Sequence, residues 1–122
     1  MTAAAITDVA DPAEASEMGD SDNKGTARGT VLIENSRTRV TEWYFEQLGD
    51  STGWHRHAYD YVVVPLFDGN LEILSPDGSR SLITIQSGVP YFRTAGVEHD
   101  VLNGNDFACS FVEIEFLETV HD

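Results

Sequence analysis

The sequence is poor in three features that would narrow its class quickly. It has one cysteine, Cys109, so no internal disulfide framework holds it, and a reducing, cytoplasmic setting is expected. It has 7 Lys and Arg against 21 Asp and Glu, a net charge of −14. Such a chain repels phosphate backbones and anionic headgroups, so neither nucleic acid nor a membrane surface is an expected partner. The plain reading of this charge is a solvated acidic surface. No apolar run approaches the ~20 residues of a membrane-spanning helix. The first 25 residues also lack the basic start and apolar stretch of a secretory signal. No GxSxG, phosphate-loop or Cys-x-x-Cys motif is present.

What is present is a β pattern. From Thr30 onward, TVLIE, RVTEWYFE, DYVVVPLF, LEILS, SLITIQ, PYFRT and CSFVEIEFL are short runs rich in Val, Ile, Phe, Tyr and Thr. LGDSTG, FDGN, SPDGS, QSG, TAG and NGND separate them. Seven to ten short strands at this spacing predict an all-β sandwich or barrel. Pro65 within DYVVVPLF predicts an edge position or a bulge. In the last run Val112, Ile114 and Phe116 share one face, and Phe111, Glu113 and Glu115 the other. Two carboxylates on one strand face predict solvent there; an interior placement would matter if the interior held a metal.

The domain is expected over residues 26–122, preceded by an acidic arm over 1–25 that is poor in large apolar residues. Within the arm, Asp11 as cap, Pro12, Glu14 and Gly19 predict a turn or two of helix.

His55 and His57 in GWHRHAYDY are one residue apart, and on a strand both imidazoles face the same way, roughly 7 Å apart at the backbone. By itself such a pair is more often exposed or hydrogen-bonded than a ligand set. His99, in GVEHDVLN, begins a second turn-strand unit, and a barrel that sets the two units side by side assembles three nitrogens. Three protein ligands with open positions are what a catalytic metal requires.

These residues resemble the two short motifs of the cupin superfamily, which are small jelly-roll β-barrels. Gly49, five residues, then His55 and His57, closing at Gly69, resembles the first motif; Gly88, Gly96, His99 and Asn103 keep the spacing of the second. Two positions depart. Thr94 stands where the second motif has proline, and Tyr61 stands where the first has its glutamate, commonly the fourth metal ligand.

The resemblance implies an all-β, cupin-type jelly-roll barrel. It implies His55, His57 and His99 as ligands of one divalent transition metal, iron foremost, with zinc, nickel or manganese as alternatives. It implies a small-molecule substrate or ligand and a homodimer paired through the sheets. Three histidines without the motif carboxylate are similar to the all-histidine iron centre of cupin thiol dioxygenases. That likeness is one of ligand count. The cupin resemblance as a whole implies a dioxygenase-type enzyme first, ahead of a binding or sensing cupin, toward which the missing glutamate points, and of a metal-dependent isomerase, lyase or cyclase. Short cupins with a similar Asp-Tyr-Val-Val run (residues 60–63) are associated with bacterial β-alanine breakdown.

Tyr61 shares parity with the histidine pair, which makes its hydroxyl a catalytic acid-base candidate beside the alternative of a core tyrosine. Glu42, Glu98, Glu113 and Glu115 are the candidates for a carboxylate supplied from elsewhere. Tyr59, Tyr91, Phe92 and Arg93 could line a pocket mouth with one cation for an acidic substrate, the alternative being core packing for the aromatics. Cys109 reads as a small buried apolar residue.

Overall fold

The computed structural model describes residues 25–118, and the expected arm with its short helix lies, but for Gly25, outside the described residues. Nine strands follow in order: β1 Arg28–Glu34, β2 Thr38–Phe45, β3 His55–Arg56, β4 Tyr61–Pro65, β5 Gly69–Leu74, β6 Arg80–Ile85, β7 Tyr91–Arg93, β8 Glu98–Asn103 and β9 Cys109–Phe116. They form two antiparallel sheets, one of order β1-β2-β9-β4-β7 and one of order β3-β8-β5-β6. This is the all-β jelly-roll barrel the sequence predicts.

Each of the seven β-rich runs becomes a strand. The two further strands, β3 and β8, are made of HR and EHDVLN and have little apolar patterning of their own. They are held by pairing, with His55 opposite His99 and with Leu71 to Leu74 of β5 opposite Asp100 to Asn103. Pro65 ends β4 beyond the residues that pair with β7, so its missing N–H costs no ladder bond on that side.

The register lays residues in rows across the larger sheet. On the inner face, Glu34, Arg39, Glu115, Tyr61 and Arg93 stand opposite one another through all five strands. On the outer face the adjacent row is Ile33, Val40, Ile114, Val62 and Phe92. The expectation that Glu113 and Glu115 face solvent is therefore overturned: they are 4% and 0% exposed, and Val112, Ile114 and Phe116 face outward. The inversion has a local cause. Arg39 donates to Glu115 Oε1 at 2.9 Å and to Glu34 Oε2 at 3.2 Å, so the buried charge of Glu115 is met inside the barrel.

Apolar packing fills the other end of the interior. Phe45, Tyr61, Val63, Leu71, Ile85, Val101, Cys109 and Phe111 form one buried cluster, with Phe45 and Phe111 rings 5.6 Å apart. Burial pushes the Cys109 thiol up to about 11, in keeping with its reading as a small apolar residue. The barrel thus has an apolar end and a polar lane, and the histidines sit against the lane.

Candidate metal centre

Two turn-strand units position the histidines. His55 lies on β3, directly opposite His99 on β8. His57 is just beyond β3, yet its N–H donates to Val97 O at 2.8 Å and its carbonyl accepts from Gly96 N at 2.8 Å. That clamp ties the first unit to the turn before His99. Gly96, at φ +97°, supplies a backbone conformation that side-chain-bearing residues rarely adopt. Asp60 accepts from Ala95 N at 2.8 Å and holds the same turn from outside. At the far end of β8, Asn103 donates to Gln47 O and Phe107 O and accepts from Asn105 N, fastening three loops. The second motif's asparagine is thus a positioning group.

The three rings meet inside the barrel. Their nearest nitrogens all lie within 4.8 Å of one another, and His55 Nε2 and His57 Nε2 are 3.0 Å apart. Two nitrogens bound at right angles to one ion, each at about 2.0–2.1 Å, would stand at about this separation. His55 Nδ1 lies 2.8 Å from Gly53 O, and donation there leaves Nε2 with its lone pair facing inward. His99 Nε2 and His57 Nδ1 are buried without a hydrogen-bond partner. All three rings are held neutral, the form that binds metals. Burial lowers His57 to about 2 and His99 to about 3, with the neighbouring rings adding to the effect, and burial lowers His55 as well. Neutral, converging imidazoles, two of them with an unpartnered buried nitrogen, fit a divalent transition metal.

Of the four carboxylates that the sequence offers, Glu113 reaches the centre, with Oε2 3.8 Å from His57 Nε2. Its Oε1 has no hydrogen-bond partner. Burial, helped by the charge of Glu115, pushes its carboxyl up to about 8, so near neutral pH both partners of this contact are uncharged. A bound divalent ion would reverse that by favouring the carboxylate. Glu98 instead accepts from Trp54 Nε1 at the surface, and Glu42 lies on the outer face. From sequence alone Glu113 is one carboxylate of four; its shared face with Phe111 sets Glu113 and Glu115 apart from the other two, and Glu115 is taken up by Arg39 in the folded barrel.

Tyr61 occupies the position of the motif glutamate, but on β4 of the other sheet, so straight-strand parity is not what turns it inward. It is 1% exposed, and its ring stacks on His57 with centroids 3.8 Å apart and planes at 19°. Its hydroxyl is buried without a partner, and burial beside Glu113 raises its pKa above the usual phenol range. The group therefore holds its proton and is available as a donor.

A cavity of about 210 Å³ opens on this centre, lined by Tyr61, His99 and Glu113, by apolar walls at Val63, Val101 and Phe111, and by Tyr91 and Arg93.

The fold and centre together define a cupin, and the chain belongs to the cupin family. Among solved structures, a cupin domain from Bordetella pertussis is 49% identical, with a TM-score of 0.70 over 74% of this chain and 92% of that one. A cupin-2 domain protein from Shewanella frigidimarina is 28% identical, with a TM-score of 0.53 over 73% and 79%. A relative among curated proteins is the beta-alanine degradation protein BauB of Pseudomonas aeruginosa. It is 49% identical over 86 residues, which span 70% of this chain and 88% of that protein. No family model matches the sequence. Among the described residues no helix is long and apolar enough to cross a membrane.

Proposed function

We propose that this cupin is a metal-dependent enzyme of small-molecule metabolism, of the dioxygenase type. One divalent transition metal, iron foremost, would be held by His55, His57 and His99, with the Glu113 carboxylate beside them. The observation that carries this reading is the convergence of three neutral imidazoles, two of them with an unpartnered buried nitrogen, beside a cavity that His99, Glu113 and Tyr61 line. The N and O donor set suits iron, manganese, nickel or zinc. A divalent ion held there would supply Lewis-acid chemistry and, for iron, redox chemistry.

The chain's own residues do the rest. The apolar walls at Val63, Val101 and Phe111 exclude bulk water and leave room for a small molecule. Tyr61 keeps its proton and can donate it to an oxygen in the cavity, which is its catalytic role in this reading. Glu113 supplies the carboxylate that Tyr61 displaces from the first motif. The relative's name supports a place in β-alanine breakdown or the handling of a comparable small amino acid. A cytoplasmic setting accords with the buried thiol of Cys109. The outer apolar row, with Ile33 and Phe92 about half exposed, supports a homodimer built face to face on the larger sheet.

The experiment is oxygen uptake by iron-loaded protein across a panel of small amino, hydroxy and thiol acids. Uptake that depends on both substrate and iron is expected. A loaded protein that binds a small acid but consumes no oxygen with any of them would favour the second reading, a binding or sensing cupin, to which the lost motif glutamate points.

A further inference from the structure

Six arginines lie among the described residues, and four of them have a charged or aromatic partner on their own part of the surface or in the polar lane. Arg37, Arg39 and Arg80 pair with Glu118, with Glu34 and Glu115, and with Glu72. Arg28 stacks on Tyr44 at the start of the larger sheet, and Arg56 points outward from β3. Arg93 differs. It stands opposite Tyr61, at the end of the inner row Glu34, Arg39, Glu115, Tyr61, Arg93, and on the edge strand β7. Along that row the charges alternate until Tyr61, an uncharged residue, takes the place next to Arg93. Among the described residues no carboxylate comes within ion-pair distance of its guanidinium.

The guanidinium is nevertheless held. Its central carbon lies 4.6 Å from the Tyr91 ring centroid, and Nη1 donates to Phe92 O at 3.0 Å. Tyr91 is itself opposite Val63 on the inner face, so the stack leans toward the cavity. One of five N–H donors is spent, which leaves enough of the planar fork to take both oxygens of a carboxylate. Arg93 and Ser81 are the exposed polar residues of the cavity lining, and Arg93 is its one arginine, with His99 and Glu113 toward the buried side. At ~30 Å³ per water, the volume of about 210 Å³ holds about seven waters, below the usual range for drug-sized ligands.

We propose that Arg93 is the substrate-binding cation of this cavity, and that the substrate is a short-chain carboxylic acid. Its carboxylate is clamped by Arg93 over Tyr91, and its other end points to the histidine centre. This deepens the proposed function and rests on the same cavity. It gives a chain of net charge −14 a reason to keep one unpaired arginine there, since an anion approaching an acidic surface needs a local cation to stop at.

The test is an NMR or calorimetric titration with propionate and with propionamide, its uncharged counterpart. It is run on the protein as purified and again after chelation, with metal content recorded in each. Wild-type protein is expected to bind propionate at least about tenfold more tightly than propionamide. Arg93→Gln is expected to remove that preference, and Arg93→Lys, which keeps the charge but not the fork, to retain part of it. Arg93 is exposed on an edge strand, so both variants should melt near the wild type. Equal affinity of Arg93→Gln and wild type for propionate would overturn the proposal. So would equal affinity of wild-type protein for the acid and the amide. The chelated arm reads the Arg93 contact even if the protein proves to hold no metal, so failure here and failure of the enzyme reading are separately visible.

Discussion

Glu113 Oε2 lies 3.8 Å from His57 Nε2, and this contact joins the two sheets of the barrel. Glu113 belongs to β9 at the middle of the larger sheet, whereas His57 follows β3 at the edge of the smaller one. The pair is costly in isolation, because a carboxylate buried this deeply has lost its water and has an unpartnered oxygen. A divalent cation at the histidines would offset that cost.

Replacing Glu113 with Gln therefore has opposite effects on metal and on stability. Affinity for the ion, read by competition with a chromogenic chelator, is expected to fall about 10- to 100-fold. The metal-free variant is expected to be more stable than wild type at pH 9, by about 1–3 kcal/mol in urea denaturation. Unchanged affinity would remove Glu113 from the centre.

Tyr61→Phe separates a donor from a ligand. Metal content is expected to stay at the wild-type level, because the three imidazoles are untouched. Stability is expected to change by less than about 1 kcal/mol, since the lost hydroxyl has no hydrogen-bond partner. Turnover is expected to drop by at least about 100-fold. Loss of the metal itself would make the phenol a ligand.

The metal-free barrel should weaken on both sides of a middle pH range. His57 and His99, held at about 2 and about 3 against an ordinary 6.5, take up protons on unfolding before they do so folded. Their contribution is present above pH 6.5 and is lost as the pH falls below it toward 3. Glu113, raised to about 8 from 4.5, acts in the other direction: its contribution is full below 4.5 and is lost as the pH rises through 8. Urea midpoints measured between pH 4 and 9 should fall toward both ends, and Glu113→Gln should flatten the alkaline side alone.

Arg39→Met tests the polar lane. It strands Glu115, 0% exposed, without its 2.9 Å partner, and is expected to cost about 3–5 kcal/mol at neutral pH. The double variant Arg39→Met with Glu115→Leu should recover most of that loss, because the unpaired charge goes with the second change. A double variant as unstable as the single would mean that the pair is held for packing.

What is legible in the sequence and what is not follow one physical line. The seven strands with an apolar face are legible because alternation and turn residues mark them. β3 and β8 carry His55, His99 and Asn103 on their inward positions, so the alternation that signals burial is absent where the chemistry lies. The same inversion hides the facing of β9, whose inward positions include Glu113 and Glu115 while its apolar Ile114 faces outward. The histidines themselves are legible by another route, the spacing of Gly49, Gly88 and Gly96 around them. All three glycines adopt positive φ, so the turns constrain the sequence where hydrophobicity does not. Tyr61 faces inward as expected, though from a separate strand. Arg93 can be placed near a pocket mouth from sequence, but its lack of an ion-pair partner is visible only in the rows of the folded sheet.

The three-histidine centre is tested most directly by the transition-metal content of the protein, purified and then reloaded anaerobically with ferrous iron and dialysed. About one ion per chain is expected, falling to about a tenth or less when His55, His57 and His99 are all replaced by Ala. Wild-type protein that holds no more metal than the triple variant would contradict it.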